Sequence, residues 1–317
     1  MPTLRIGSRG SALALWQADH VSALLRAAHP ALEVAVEVIT TTGDRILDAP
    51  LARIGGKGLF TREIEEALLE GRVDLAVHSL KDLPTTLPPG LSLAAVLSRH
   101  DPGDVLIAAR GERFAALPAG ARIGTSSLRR RAQILHARPD LKVETLRGNV
   151  PTRVRRAESG DFDAVILARA GVERLGLADR ITEVLSTELL LPAPGQGALG
   201  LEARADDDRV RTLLLGLEEP LTRAATDAER GFLQALGGGC QVPVGALARA
   251  VPGRDGTLRL EGMVADPDGI ELLRGVREGS VREAAALGAG LAHELIARGA
   301  ARILAELERA AGRPETR

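Results

Sequence analysis

Two α/β lobes followed by a small C-terminal α+β domain is the fold class that the sequence predicts, on three observations. Through the first ~200 residues short runs with β periodicity alternate with amphipathic helical stretches, the pattern of mixed, largely parallel sheets flanked by helices. Two polar, turn-rich segments, Arg99-His100-Asp101-Pro102-Gly103-Asp104 and Leu191-Pro192-Ala193-Pro194-Gly195-Gln196-Gly197, interrupt that alternation and read as paired hinge strands, one crossing to a second lobe and one returning. At 317 residues the chain also exceeds the ~250–300 at which a single core stops growing. The expected division is 1–98 with 199–217, then 103–193, then 220–317.

In chain order, Leu4-Arg5-Ile6 predicts a strand and the stretch from Ser11 to Ala28 a helix that must stop before Pro30. Leu32, Val34, Val36 and Val38 alternate with Glu33, Ala35 and Glu37, which is strand periodicity. Phe60, Ile64, Ala67 and Leu68 return to helical spacing, with Thr61 as candidate N-cap and Gly71 as the stop. Strands are then expected at Val73 to Val77, Ile123 to Thr125, Val143 to Leu146 and Ala164 to Leu167, with helices from Ser127 to Ala137 and from Pro151 to Glu158 between them. After about Leu221 the alternation ends. A helix to Leu236 leads to three β runs, Val244 to Ala248, Leu258 to Val264 and Ile270 to Arg277, joined by turns at Gly253 to Gly256 and Pro267 to Gly269, and two Ala- and Leu-rich helices finish the domain.

Composition narrows the function classes. With 45% hydrophobic and 26% charged residues and a net charge of −1, the chain reads as a globular protein without the basic excess of a nucleic-acid binder. No apolar run reaches the ~18 residues of a membrane span, and Met1-Pro2-Thr3-Leu4-Arg5 lacks the apolar core of a signal peptide, so a cytoplasmic protein without a membrane partner is expected. No spare apolar helical face stands out, which predicts a monomer. One cysteine allows neither an internal disulfide nor a multi-cysteine zinc site, and the six histidines lack metal-site spacing, so no metal is expected. Of the basic residues only Lys57, Lys81 and Lys142 are lysine, and two of the three fall within the motifs below.

That one cysteine, Cys240, lies in Gly237-Gly238-Gly239-Cys240-Gln241-Val242-Pro243, where consecutive glycines leave the approach unshielded and present a thiol rather than bury it. In open α/β sheets ligands gather beyond the carboxyl ends of strands. One such exit reads His78-Ser79-Leu80-Lys81-Asp82-Leu83-Pro84, a hydroxyl, an ammonium and a carboxylate on a turn closed by proline. The adjacent cation keeps Asp82 ionised and able to stabilise a developing positive charge. Another, Gly124-Thr125-Ser126-Ser127-Leu128-Arg129-Arg130-Arg131, places hydroxyls and guanidinium forks at a helix start, an anion pocket. Arg147-Gly148-Asn149 with Arg153, and Ser8-Arg9-Gly10-Ser11, repeat the theme. Gly55-Gly56-Lys57-Gly58 has the look of a phosphate loop without Walker spacing, and reads equally as a mobile lid. Together these turns imply a ligand with many anionic groups, polycarboxylate or phosphate-rich.

In this order, Arg5-Ile6-Gly7-Ser8-Arg9, Gly55-Gly56-Lys57-Gly58-Leu59-Phe60, His78 to Pro84, Gly124 to Arg130, Leu146-Arg147-Gly148-Asn149-Val150, Pro194-Gly195-Gln196-Gly197 and Gly238 to Pro243 resemble the porphobilinogen deaminase family over nearly the whole chain. The resemblance implies two lobes like those of periplasmic binding proteins and a third domain bearing the cysteine. It implies the head-to-tail condensation of four porphobilinogen units into hydroxymethylbilane, a reaction of tetrapyrrole biosynthesis, with release of ammonia. It implies a dipyrromethane cofactor held by Cys240 through a thioether, and Asp82 as the catalytic carboxylate that assists loss of the amine and stabilises the cationic methylene-pyrrole. The positions matching the family's cofactor and substrate contacts are Arg9, Ser11, Lys57, Ser79, Lys81, Thr125, Ser126, Ser127, Arg129, Arg130, Arg147, Arg153, Arg174 and Gln196. Each porphobilinogen carries an acetate and a propionate, which suits the arginines. Arg53 stands where the family commonly has lysine, and a solvated helix face is expected for Arg155 and Arg156. The rival reading from the residues is a two-lobed protein that binds an anionic ligand without catalysis, and it leaves Cys240 and the Lys81-Asp82 turn without a role.

Overall fold

A computed structural model of the chain describes residues 3–45, 58–237 and 242–311. Strand β1 (Leu4–Ser8), an interior strand of the first sheet, buries Leu4 and Ile6 completely. Helix α1 (Ala12–Ala28) starts where the Ser11 hydroxyl accepts from the Ala14 amide at 3.3 Å and stops short of Pro30. Strand β2 (Val34–Val38) is an edge strand, which is why its apolar alternation stays half-solvated and leaves Val38 56% exposed. The short α2 (Thr42–Arg45) and α3 (Arg62–Leu69) follow, and Thr61 precedes α3 without a side-chain capping bond. Strands β3 (Leu75–Ser79) and β4 (Leu91–Val96) complete the chain's first visit to this lobe.

The second lobe contains β5 (Asp104–Ala108), β6 (Arg122–Gly124), α4 (Leu128–Ala137), β7 (Lys142–Glu144), α5 (Val150–Glu158), β8 (Ala164–Ala168), α6 (Arg169–Arg174) and β9 (Glu183–Leu185). The chain then returns to the first sheet as β10 (Leu199–Arg204), followed by α7 (Asp208–Leu214). The two sheets share one plan, β2-β1-β3-β10-β4 and β7-β6-β8-β5-β9. In each, the first two pairings are parallel and the last two antiparallel. Each sheet is thus evenly mixed where the sequence suggested a largely parallel one. The antiparallel pairings all involve β4, β5, β9 and β10, the strands that border the crossings and that the sequence reading did not resolve. β5 and β10 are buried along nearly their whole length and so lack the alternation that marks a half-exposed strand.

The crossings lie side by side as expected. The Leu97 amide donates to the Leu199 carbonyl at 3.1 Å and the His100 amide to the Gly197 carbonyl at 3.2 Å. Gly197 is required there: its φ is +88°, and an added Cβ would stand 2.4 Å from the His100 carbonyl oxygen.

The third unit packs α8 (Pro220–Ala235) and α9 (Ala284–Leu295) against an antiparallel sheet of β11 (Val244–Ala250), β12 (Thr257–Ala265) and β13 (Leu272–Ser280), and ends in α10 (Ala301–Ala311). Phe232, fully buried, sits in its core. It docks on the second lobe through Arg131, which donates to the Pro267 carbonyl (3.1 Å) and to Asp268 (2.8 Å).

Candidate active site

The first lobe presents Asp82 on a short 3-10 turn, Leu80–Asp82, that continues directly from β3. Leu80, 1% exposed, anchors the turn in the core, while Asp82 is exposed. Behind it the Gln17 amide donates to the Ser79 hydroxyl at 2.8 Å. Arg9, Ser11, Gln17, Phe60, Ser79 and Asp82 share the wall of one pocket. Arg9 does not stand open to that pocket. It pairs with Asp44 and lies over the Phe60 ring at 4.2 Å, and burial of the Asp44 carboxyl is outweighed by Arg9 and Thr41, which hold it below the usual carboxylate range. Ser11 serves as the cap of α1.

Lys81 is half-buried and donates from Nζ to Gln196 Oε1 at 3.3 Å. Burial lowers its pKa to about 8, opposed by Asp82 and Asp104 and assisted by Arg130 and Arg129. The ammonium therefore stands within electrostatic reach of both lobes.

The second lobe departs from the sequence reading. Ser127 caps α4, accepting from the Arg130 amide at 3.4 Å, and its own amide donates to the buried Thr125 hydroxyl at 3.2 Å. The Ser126 hydroxyl donates to the Leu146 carbonyl. Arg129 and Arg130, read as open forks for a ligand, are 4% and 5% exposed. Both have Asp104 as partner, Arg129 through Nη1 at 2.8 Å and Arg130 through Nη2 at 2.7 Å; Arg129 Nη1 also donates to the Leu191 carbonyl (2.8 Å) and Arg130 Nη1 to the Ile166 carbonyl (3.0 Å). Burial alone would push the Asp104 carboxyl up, but the two guanidinium groups hold it far below the usual range. Asp104 does not stand out in the sequence, because Asp101-Pro102-Gly103-Asp104 reads as turn chemistry. Its position at the end of the turn-rich crossing segment Arg99 to Asp104 was the available signal.

Gln196 connects the halves. Its amide donates to the Pro102 carbonyl at 2.7 Å and to Asp104 at 2.9 Å, while its carbonyl accepts from Lys81. Arg153, on α5, donates to the Gly148 carbonyl at 2.7 Å; burial lowers its pKa to about 10, with Arg130 and Arg147 adding to the effect and Asp82 opposing it. Asp82 and Arg153, on opposite lobes, thus stand within electrostatic reach of one another. Arg174 spans the lobes too, donating to the Gly197 carbonyl at 2.8 Å with its guanidinium 5.6 Å from the Trp16 ring, and burial takes its pKa to about 10. Arg155 and Arg156 bond locally, to Thr152 and Asp161, on the outside of α5, as expected. Lys57, Arg53, the glycines at 55 and 56 and Cys240 lie outside the described residues.

Beneath the pocket is a cluster the sequence did not reveal. His78 Nε2 and Glu202 Oε2 are 3.0 Å apart and both buried. Glu65 on α3 lies beside them, its carboxyl pushed up by burial and by the neighbouring Glu202.

Comparison with known proteins matches this arrangement to one family. The family model "Porphobilinogen deaminase, dipyromethane cofactor binding domain" matches residues 4–212, and "Porphobilinogen deaminase, C-terminal domain" matches residues 224–297. The porphobilinogen deaminase of Syntrophotalea carbinolica is 54% identical over 96% of this chain and 96% of its own length. That of Roseiflexus castenholzii is 55% identical over 96% of this chain and 99% of its own. Among solved structures, the periplasmic aliphatic sulphonate binding protein SsuA of Escherichia coli aligns over 74% of this chain and 71% of its own, at 16% identity and a TM-score of 0.40. The two family models and these relatives together cover almost the full length, and the chain belongs to the porphobilinogen deaminase family.

Proposed function

We propose that Asp82 is the catalytic carboxylate of this chain's reaction, and that the arginine-lined cleft between the lobes holds the carboxylates of the growing pyrrole chain. The reaction is that of the family: hydroxymethylbilane synthase chemistry in tetrapyrrole biosynthesis, a transferase reaction that consumes porphobilinogen and depends on a dipyrromethane cofactor. The rival reading, a binding protein without catalysis, is not favoured by these relatives.

The single observation that carries the proposal is the charge arrangement around Asp82. Burial together with repulsion from Arg130 and Arg129 lowers the pKa of Lys81, and burial together with repulsion from Arg130 and Arg147 lowers that of Arg153, while Asp82 opposes both shifts. An anionic group bound there relieves that repulsion, so the residues fit a polycarboxylate cofactor. When bound, dipyrromethane supplies the pyrrole carbon at which the chain is extended. The protein's own groups do the rest. Asp82 Oδ accepts the pyrrole N–H of the incoming unit, stabilises positive charge as ammonia leaves, and takes up the ring proton released after the new carbon–carbon bond has formed. Arg153, Arg147 and Arg174 hold carboxylates from the second lobe, and Ser79, Lys81, Thr125, Ser126 and Ser127 complete the lining. Arg129 and Arg130 act from behind through Asp104, and Gln196 fixes Lys81. Arg9 and Ser11 contribute from the first lobe, Arg9 by exchanging Asp44 for a ligand carboxylate, and Lys57 is assigned a further carboxylate contact. Cys240 tethers the cofactor through a thioether.

The same reading treats 1–98 with 199–217, 103–193 and 220–317 as the three domains, and the enzyme as a cytoplasmic monomer without nucleic-acid or membrane partners. Among the described residues the exposed large apolar side chains, including Val38, Leu69, Val184, Leu215 and Ile270, are spread widely along the chain. The test of the proposal is turnover of porphobilinogen by Asp82→Ala. The variant keeps its cofactor and loses nearly all release of ammonia; unimpaired turnover would remove Asp82 from the mechanism.

A further inference from the structure

Helix α8 carries Glu229 and Arg230 side by side, and both reach out of the third unit into the machinery of the first. Arg230 donates from Nη1 to the Leu83 carbonyl at 3.0 Å and from Nη2 to the Pro84 carbonyl at 2.7 Å. These are the two residues that follow Asp82. The turn closes on itself through the Leu83 amide and the Leu80 carbonyl (3.2 Å), which fixes its start, and the planar fork of Arg230 fixes the orientation of the two carbonyls beyond it. The neighbouring Glu229 is fully buried and accepts from Arg99 Nη1 (2.6 Å) and Nη2 (3.0 Å), from the Gly195 amide (2.7 Å) and from the Ala248 amide (2.9 Å). Gly195 precedes Gln196, whose carbonyl holds Lys81. One helix therefore holds the Lys81-Asp82 pair from both sides. Arg230 also stands ten residues before Cys240 in the same chain segment.

We propose that Arg230 is a positioning residue for Asp82: from the helix that leads into the Cys240 segment, it sets the backbone beyond Asp82 and thereby the place of the carboxylate in the cleft. The inference rests on Asp82 being the catalytic carboxylate. A placement error of about 1 Å costs on the order of a hundredfold in rate, so the contact is large enough to read in turnover.

The test uses the cofactor-loaded protein with Arg230→Met, Arg230→Lys, Asp82→Ala and the Asp82→Ala/Arg230→Met double variant. Intact mass is expected to show the same loading in all four. Arg230→Met lowers kcat by roughly a hundredfold with KM within about twofold, and Arg230→Lys restores part of the loss. Amide hydrogen exchange speeds up at residues 82–86 and stays at the parent rate elsewhere. In the Asp82→Ala background, Arg230→Met leaves the residual turnover where it was, because the group it positions is gone. Parent-like kcat in a loaded Arg230→Met protein would overturn the inference. So would a further loss in the double variant, or faster exchange throughout the third unit, which would mark a merely structural contact. If Asp82→Ala itself turned over normally, the Asp82 reading would fail instead, while exchange at residues 82–86 would still report whether Arg230 holds the turn.

Discussion

The side-chain amide of Gln196 donates to the Asp104 carboxylate at 2.9 Å, joining the strand that returns from the second lobe to the strand that enters it. The carbonyl of that same side chain accepts from Lys81, so a buried ion cluster behind the cleft, Asp104 with Arg129 and Arg130, is tied to the turn that bears Asp82. The functional consequences follow from this link.

Lys81 gives a pH signature. Its folded pKa is about 8 against 10.5 for a free lysine, so the folded protein releases this proton first. As pH rises through about 8 the site loses an ammonium beside Asp82, and kcat/KM falls on its alkaline limb. Lys81→Arg keeps the charge and is expected to move that limb upward by a pH unit or more, read from the pH profile of kcat/KM. For stability the sign is opposite: between pH 8 and 10.5 the unfolded chain holds more protons, so this group makes folding more favourable as pH rises. An unchanged alkaline limb in Lys81→Arg would assign that limb to another group.

Removing one partner of the buried cluster should cost far more than its contacts suggest. Arg130→Ala leaves Asp104 with only Arg129 and the Gln196 amide in a site closed to water, and a loss of about 3–5 kcal/mol in urea unfolding is expected. Asp104→Asn combined with Arg130→Met should be more destabilising than Arg130→Ala alone, because it leaves the buried Arg129 guanidinium without a carboxylate partner. A loss under about 1 kcal/mol for Arg130→Ala would place the arginine in solvent, as an open ligand fork.

The cluster under the pocket predicts a gain. Glu65 is pushed up by burial and by Glu202, so its ionised form opposes folding at neutral pH. Glu65→Gln is expected to unfold at higher urea than the parent at pH 7. The difference should shrink as pH falls below the ordinary glutamate range, where the parent carboxyl is protonated in both states. Equal midpoints at pH 7 would mean that His78 already compensates Glu65 in full.

Much of the architecture was legible because amphipathic elements announce their period. α1, α4 and the edge strand β2 all lie within a few residues of where their periodicity put them. β5 and β10 were not legible, since a strand buried on both faces carries no alternation, and with them went the even mixture of parallel and antiparallel pairs. At the site the sequence singled out Asp82, Lys81 and Arg153 by their place on turns beyond strands. It could not tell an arginine that faces a ligand from one that faces a buried aspartate, because Arg130 finds Asp104 across 26 positions of chain. Nor did composition mark Arg230, whose partners are backbone carbonyls that carry no side-chain signal.

The most direct measurement is the intact denatured mass of the protein beside its Cys240→Ser variant, each after incubation with porphobilinogen, because a thioether-linked cofactor survives unfolding. The account predicts an adduct of two pyrrole units on the parent chain and none on the variant. A parent chain of unmodified mass, or the same adduct on Cys240→Ser, would contradict it.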